Sequence, residues 1–381
     1  MQGGPIAGEL AVFVIDDIAR TPIANATVTV GAASGATDAQ GRFVATGVTG
    51  AQTVFVQATG HVPQLWIGVA SREATMDLEP DPAITPQLPV VRVTFPGELG
   101  GTNIARPLAS TLALDFASFT PNPPLVVPNN NDVDPVALPR VTDVLGLGPL
   151  RSTCSVIAWV NSSTSVAPTQ VGLGQGTNAN AFVALSAIDP RQLATATIDY
   201  GTPPTGMTVT RGVLGGERDD GILPMDSTDT TAPTTLEVLP TALFGGSTFA
   251  LTARASGAQP QVESVVIRRG LSGLAFTIDT WLVPPSNVTA DHTTIAWDAM
   301  PLAKFVVVDV WDPTSLAGQR SLQIRVFDGS TSVTVPAGIV PSGTQKTLVT
   351  AIHGDLDLTD LAIDRDRPKI DAMSSQTVDM P

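Results

Sequence analysis

The side chains able to act as catalysts or metal ligands are few: three histidines and one cysteine in 381 residues. A zinc peptidase needs a His-x-x-Glu pair and a further histidine. None of His61, His292 and His353 has a glutamate at that spacing, and no Gly-x-Ser-x-Gly motif is present. Cys154 begins an apolar run, which is typical of a buried structural thiol, and a lone cysteine excludes an intrachain disulfide. The sequence therefore predicts no catalytic and no cofactor-binding residues.

One loop is a candidate calcium site. Asn130, Asp132 and Asp134 offer closely spaced oxygen ligands of the kind that calcium prefers. The twelve-residue EF-hand pattern with its closing glutamate is absent, so the alternative is a solvated loop rich in Asn and Asp. Calcium is the one cofactor to test, and we predict no other metal.

Trp66 is a candidate ligand residue for glycans. It follows a turn, so an exposed indole here would offer a sugar a flat face, whereas the alternative is packing in the core. The other four tryptophans lie in apolar runs that are typical of core strands: Trp159, Trp281, Trp297 and Trp311.

The overall charge excludes several classes of partner. Twenty basic and 35 acidic residues give 20 − 35 = −15 and a pI near 4.4, which argues against nucleic acid and anionic membranes. Only 14% of residues are charged while 43% are hydrophobic, so the chain should fold. No apolar window reaches the roughly 18 residues that a transmembrane helix needs, so we predict no transmembrane segment.

The elements that must position these side chains are short strands. Runs of four to eight residues rich in Val, Ile and Thr alternate with turns, which accounts for the 34 glycines and 32 prolines. Sustained helical periodicity is absent. The pattern predicts an all-β chain of tandem β-sandwiches. The predicted organisation is a sandwich over 1–79, a proline-rich linker over 80–86, one large or two small sandwiches over 87–283, and a sandwich over 284–381 with an acidic C-terminal tail.

A turn at Thr37-Asp38-Ala39-Gln40-Gly41 is the most specific local signal. Asp38 should accept backbone hydrogen bonds while Gly41 takes a positive φ, and we expect the flanking strands to pair as a hairpin. Residues 8–79 resemble the carboxypeptidase regulatory-like domain, a seven-stranded transthyretin-like (prealbumin-like) sandwich, because the motif residues of that family occur here in the same order. The residues that carry the resemblance are Pro22-Ile23, Ala26, Val28, Thr37-Asp38, Gly41, Phe43 and Gly60, with His61 in place of the usual Tyr.

The last hundred residues are similar to a fibronectin type III-like domain. Trp297 on an early strand is followed by a short proline-containing turn and the alternating strand Phe305 to Trp311. This resemblance implies that Trp297 is the core tryptophan.

Sandwich signals without a catalytic constellation favour a non-enzymatic protein. We expect an extracytoplasmic structural, adhesive or protein-binding component of a bacterial cell envelope, a surface lipoprotein or a secreted protein, whose partners are other envelope or surface proteins and glycans. Seventeen Arg to three Lys is typical of a GC-rich bacterial genome. No signal sequence is present in this chain, so either the chain is cytosolic or a leader was trimmed, and the composition favours the second option. The alternatives are a carbohydrate-binding module and a hydrolase with its site in the middle region.

Overall fold

The computed structural model describes residues 4–17, 19, 21–81, 194–218, 221–228, 234–238, 248–258, 261–314, 320–355, 358, 361 and 369–381, and the backbone of the short strands between 90 and 187. All the regular secondary structure in these residues is β-strand. The all-β prediction is therefore confirmed. Within the same ranges, no helix is long and apolar enough to cross a bilayer.

The N-terminal sandwich (residues 4–81) has seven strands in two sheets. One sheet has the order β4-β1-β7, and the other contains β3, β2, β5 and β6. Alternate apolar residues such as Val12, Val56 and Met76 point between the sheets and are fully buried. The strands are β1 (Ala7–Asp16), β2 (Thr27–Val30), β3 (Ala33–Ala36), β4 (Arg42–Thr49), β5 (Gln52–Gln57), β6 (Gln64–Val69) and β7 (Glu73–Leu78).

The predicted turn is present, but the predicted hairpin is wrong. Gly41 has φ 69, and Asp38 Oδ1 accepts hydrogen bonds from the backbone N of Gln40 and Arg42, each at 2.9 Å. The strands on either side nevertheless belong to different sheets, since β3 pairs with β2 and β4 pairs with β1. The turn is therefore a crossover between the sheets. Strand β4 pairs with seven residues of β1, whereas β3 has only four residues to offer, so pairing with β1 gives β4 the longer ladder of backbone hydrogen bonds.

The strands between 87 and 283 fall into two groups. The first group runs from 90 to 187 and forms one six-stranded and one three-stranded sheet. Its strands are β8 (Val90–Thr94), β9 (Asn103–Ala109), β10 (Leu125–Val127), β11 (Val136–Ala137), β12 (Thr153–Val160), β13 (Ser163–Ser165), β14 (Thr169–Gly172), β15 (Asn178–Phe182) and β16 (Leu185–Ala187).

The second group is the middle sandwich (residues 194–281). The sheet β20-β17-β23 packs on β19-β18-β21-β22 over a core that includes Ile198, Leu251 and Phe276. The strands are β17 (Ala194–Asp199), β18 (Thr208–Arg218), β19 (Gly221–Thr228), β20 (Thr234–Val238), β21 (Thr248–Gly257), β22 (Val262–Leu271) and β23 (Ala275–Thr277).

The C-terminal sandwich (residues 284–381) also has three strands facing four. Its sheet β24-β25-β28 covers the strands β27, β26, β29 and β30, and Trp297 lies in the shared core at 5% exposure, as predicted. The strands are β24 (Thr289–Ala290), β25 (Thr294–Ala296), β26 (Phe305–Trp311), β27 (Arg320–Val326), β28 (Ser332–Thr334), β29 (Gln345–Asp355) and β30 (Lys369–Met380).

The C-terminus does not trail away from this sandwich as an acidic tail. Residues Lys369–Met380 form β30, which pairs with β29 along one edge and with β22 along the other. The hydrophobic residues Ala372 and Met380 anchor it because both are buried. Most of the acidic run between Asp355 and Asp366 lies outside the described residues.

One continuous sheet joins the three sandwiches. Its twelve strands have the order β19-β18-β21-β22-β30-β29-β26-β27-β6-β5-β2-β3, which places the four-stranded sheets of the middle, C-terminal and N-terminal sandwiches edge to edge. At the usual spacing of about 4.8 Å between strands, the sheet is about 50 Å wide. The C-terminal sandwich, although last in sequence, lies between the other two.

Candidate functional site

The structure buries Trp66, the residue proposed as a glycan platform. Its side chain is 0% exposed, and its indole Nε1 donates a hydrogen bond to Gln64 Oε1 at 3.1 Å. The ring of Phe327 approaches edge-on with centroids 5.5 Å apart. Since no face of the indole reaches solvent, the exposed position that sugar binding requires is not observed. The structure shows the alternative, in which Trp66 packs in the core.

The calcium candidates Asn130, Asp132 and Asp134 lie outside the described residues. Among the residues that are described, no three histidine, cysteine, aspartate or glutamate side chains are grouped as metal ligands. The calcium hypothesis stays a prediction.

The three histidines lie apart and each contacts a different partner. His61 Nε2 is 3.0 Å from Asp16 Oδ2 in the N-terminal sandwich. His292 Nε2 is 3.1 Å from the carbonyl of Gly343, and His353 Nδ1 is 2.6 Å from the carbonyl of Leu302. The described side chains therefore do not bring the histidines into one site.

The structure instead concentrates buried polar groups where the N-terminal and C-terminal sandwiches meet. We call this junction the terminal seam. Strands β6 and β27 pair in parallel across it, from Gln323↔Gln64 to Val326↔Ile67. Parallel pairing is possible here because each strand is an edge of its own sandwich.

A glycine permits the close approach of the two backbones. Gly68 has φ 79, and a Cβ atom at this position would lie 2.6 Å from Asp328 Cβ and 2.8 Å from Asp328 N. Any other residue would clash with the backbone of the opposite sandwich. This glycine is therefore required by the seam as well as by its own conformation.

An aromatic cluster makes the hydrophobic core continuous across the terminal seam. Phe327 contacts Trp66 on one side and Phe305 on the other, with 5.7 Å between the two phenylalanine centroids. Ile352 of the C-terminal sandwich belongs to the same cluster of buried residues as Trp66 and Leu10. The two sandwiches thus share apolar surface that each would otherwise expose to water.

A buried charged group lies beside these aromatic rings. Arg325 is 3% exposed, and its guanidinium lies 5.0 Å from the centre of the Trp66 ring. Its Nη2 donates to Gln323 Oε1 at 2.8 Å and is 3.9 Å from Asp77 Oδ1, which belongs to the N-terminal sandwich. Gln64 Nε2 donates to the carbonyl of Asp77 at 2.5 Å. Hydrogen bonding and opposite charge make burial of this cation tolerable.

A second arginine binds both sandwiches at the rim of the seam. Arg320 Nη1 donates to Glu79 Oε2 at 2.7 Å, and its Nε is 3.0 Å from Asp309 Oδ1. The Asp309 carboxylate, together with Glu79, raises the pKa of Arg320 above its ordinary value. Arg320 therefore stays positively charged throughout the usual pH range of a folded protein.

A segment of the C-terminal sandwich also closes the free edge of β7. Leu361 is 0% exposed in the core of the N-terminal sandwich and forms a parallel bridge with Ala74. Its carbonyl accepts from Thr75 N at 3.2 Å, and its N donates to Ser71 Oγ at 3.3 Å. The terminal seam is thus held at two separate places.

The junction between the middle and C-terminal sandwiches is antiparallel. Strands β22 and β30 pair from Val262↔Gln376 to Val266↔Ala372. The connection between the two sandwiches crosses this junction, where Ser264 Oγ donates to the carbonyl of Leu282 at 2.8 Å and Ser374 Oγ donates to that of Val283 at 2.9 Å. Like the terminal seam, this junction therefore combines backbone pairing with side-chain hydrogen bonds.

Sequence reasoning missed the terminal seam. The available signal was β27 itself, where Gln323 and Arg325 alternate with Leu322 and Ile324. This alternation predicts one polar, solvated face, but the structure buries both faces. Only the position of the strand between two sandwiches distinguishes these possibilities.

Comparison with known proteins gives no family for this chain. No protein-family model and no curated protein matches the sequence. The chain is weakly similar to a solved tetra-tandem repeat from the extending region of a large adhesion protein, with 12% identity, 98% of this chain and 100% of that chain covered, and a TM-score of 0.12. It is also weakly similar to E. coli alpha-2-macroglobulin, with 12% identity, all of this chain covered and a TM-score of 0.16. The chain spans 30% of that macroglobulin chain. TM-scores this low carry no argument about function.

Proposed function

We propose that the protein is a rigid, non-enzymatic structural or adhesive component of a bacterial cell envelope, exported as a surface lipoprotein or a secreted protein. The observation that supports this most is the twelve-stranded sheet that joins three sandwiches. A flexible string of domains changes shape under load, whereas a continuous ladder of backbone hydrogen bonds keeps its members at fixed positions.

The terminal seam supports a rigid role for a second reason. Arg325, Asp77 and Gln323 are each at most 8% exposed and come from both sandwiches. Separating the sandwiches would expose the aromatic cluster and break the contacts of these buried polar groups. Two domains that share a hydrophobic core do not separate readily, so the sandwiches should move as one body.

We also propose that residues 1–79 are a carboxypeptidase regulatory-like module and residues 284–381 a fibronectin type III-like module. The support is the seven-stranded arrangement of each sandwich, the turn with Gly41 at positive φ, and the buried Trp297. The described residues of these modules keep the three histidines apart, and the role we propose for the modules is to space and present surfaces to other envelope or surface proteins.

Small-angle scattering tests the rigid scaffold directly. The expected profile is that of one compact particle whose dimensions do not change with salt. A profile of separately moving domains would refute the rigid arrangement. Matched profiles of the native chain and a Gly68→Ala variant should differ, because the added Cβ clashes at the terminal seam.

Surface labelling of intact cells that produce the protein tests the compartment. An antibody should bind unpermeabilised cells or the secreted fraction, and the purified chain should not hydrolyse generic ester, peptide or glycoside substrates. Recovery in the cytosolic fraction alone would contradict the envelope assignment, and turnover of any of these substrates would contradict the non-enzymatic one.

A further inference from the structure

The sheet splits at the junction of the middle and C-terminal sandwiches. The last pair between β22 and β30 is Val266↔Ala372, yet β22 continues to Leu271 and β30 begins at Lys369. Beyond the last pair β30 follows β29, with which it pairs as far as Asp355↔Lys369. A groove of about 670 Å³ opens between the diverging strands. This volume is typical of small-ligand sites.

Two of the charged groups that line the groove satisfy each other. Arg268 Nη2 donates to Asp279 Oδ1 at 3.0 Å and to the carbonyl of Thr280 at 3.1 Å. This hydrogen bond lowers the pKa of Asp279, so its carboxylate stays ionised beside the arginine. Arg268 and Asp279 therefore pair with each other in the wall of the groove.

Arg269 has hydrogen-bonding capacity that the described residues leave unused. Arg269 is half-buried and lines the groove, and its Nε is shielded from solvent and has no hydrogen-bond partner among the described residues. The neighbouring Arg254 and Arg268 each pair with a carboxylate, whereas Arg269 forms no ion pair with any described residue. A buried donor of a charged group without an acceptor is costly. The Nη atoms are not among the buried atoms that lack a partner, and a ligand carboxylate in the groove would supply an acceptor to each of them.

The rest of the lining suits the other groups of a sugar ring. Asp371 is half-buried and has no ion-pair partner among the described residues, so its oxygens can accept hydrogen bonds from ligand hydroxyls. His353 Nδ1 donates to the Leu302 carbonyl at 2.6 Å, since a carbonyl oxygen can only accept, and the ring Nε2 is a further polar atom of a residue that lines the groove. Leu302 is 54% exposed and offers an apolar surface to ring C–H groups.

We propose that this groove binds a carboxylate-bearing sugar, such as a uronic acid residue of a glycan. The carboxylate pairs with Arg269 and the hydroxyls donate to Asp371. A neutral sugar leaves Arg269 unsatisfied, and a simple carboxylate leaves Asp371 and Leu302 unused. This binding activity is independent of the scaffold role, since a rigid scaffold needs no ligand.

Titration of the full chain with four small molecules tests the ligand class. D-glucuronate and D-galacturonate should give saturable heats at millimolar concentration, and glucose and acetate should each bind at least about tenfold more weakly. Equal binding of glucose would overturn the role of the carboxylate, and equal binding of acetate would overturn the role of the sugar. Absence of saturable binding by either uronate would overturn the proposal.

Variants test the position of the site. Arg269→Gln should weaken uronate binding by about tenfold to a hundredfold, because it removes a charge-assisted hydrogen bond. The matched control Arg42→Gln, on the N-terminal sandwich, should leave the affinity unchanged. Leu302→Glu places a like charge at an exposed position where folding is not at risk, and it should also weaken binding. Unchanged affinity in a folded Arg269→Gln or Leu302→Glu variant would overturn the assignment to this groove.

Discussion

Replacing Arg325 by methionine should break the terminal seam selectively. Methionine keeps much of the apolar volume that packs on Trp66 but removes the guanidinium that lies 3.9 Å from Asp77 Oδ1 and donates to Gln323. Asp77 is 3% exposed, so water cannot readily replace the lost cation. The variant therefore leaves a buried carboxylate beside an apolar side chain.

The expected cost is about 3–5 kcal/mol, the usual range when one partner of a buried ion pair is removed. Coulomb's law gives a similar figure, since two unit charges 3.9 Å apart attract by about 4 kcal/mol at an effective dielectric constant of 20. The loss is a large fraction of the roughly 5–15 kcal/mol that stabilises a typical domain.

Urea unfolding followed by tryptophan fluorescence measures this cost. The native chain should unfold the N-terminal and C-terminal sandwiches in one transition, because Trp66 and Phe327 lie in a shared core. Arg325→Met should lower the midpoint and separate the two transitions. The matched control is Arg254→Met, because Arg254 pairs with Glu263 within one sandwich and both side chains are about 30% exposed. Exposed pairs of this kind contribute at most about 1 kcal/mol.

A double variant tests whether the charge itself is responsible. Asp77→Asn combined with Arg325→Met should recover much of the lost stability, because the buried carboxylate that lost the arginine is then replaced by a neutral amide. Equal costs for Arg325→Met and Arg254→Met, or no recovery in the double variant, would refute this account of the seam.

Three further perturbations have expected outcomes. Leu361→Ala should lower the free energy of unfolding by about 2–5 kcal/mol, because a fully buried side chain is lost. The control Leu274→Ala, at a 38% exposed position, should change it by less than about 0.5 kcal/mol. Equal effects of the two variants in thermal melts would contradict the burial of Leu361. Gly68→Ala should lower the free energy of unfolding clearly more than Gly47→Ala does. Both glycines have positive φ, but of the two only Gly68 faces a backbone atom within 3 Å. Similar urea midpoints for the two variants would show that the close approach of Gly68 to Asp328 is unimportant. If the loop containing Asn130 holds calcium, EDTA should lower the melting temperature and added calcium should restore it, and an unchanged melting temperature would exclude the site.

The individual strands could be predicted from the sequence because their signals are local. Alternation from Phe305 to Trp311 follows directly from the period of two in a strand that packs on a core. The turn at Gly41 could be predicted because a positive φ and an Asp acceptor are properties of adjacent residues. Burial of Trp297 followed from its place in a recognisable strand order.

The partners of those strands could not be predicted in the same way. The hairpin expected at Gly41 was wrong because a turn fixes the direction of the chain and not the sheet in which the next strand pairs. The terminal seam joins residues that are more than 200 positions apart, such as Glu79 and Arg320, and no local pattern encodes their contact. The groove beside Arg269 depends on where the pairing of two distant strands ends.

The sequence by itself determined that this chain is all-β, acidic, poor in catalytic side chains and divided by turns into short strands, because composition and alternation act over a few residues. Only the tertiary structure decided that Trp66 is buried, that the last strand of the chain lies inside the sheet, and that three sandwiches share that sheet. The physical reason is that the backbone donors and acceptors of an edge strand that becomes buried must find partners in another strand. Which two edge strands pair with each other is decided by the whole fold.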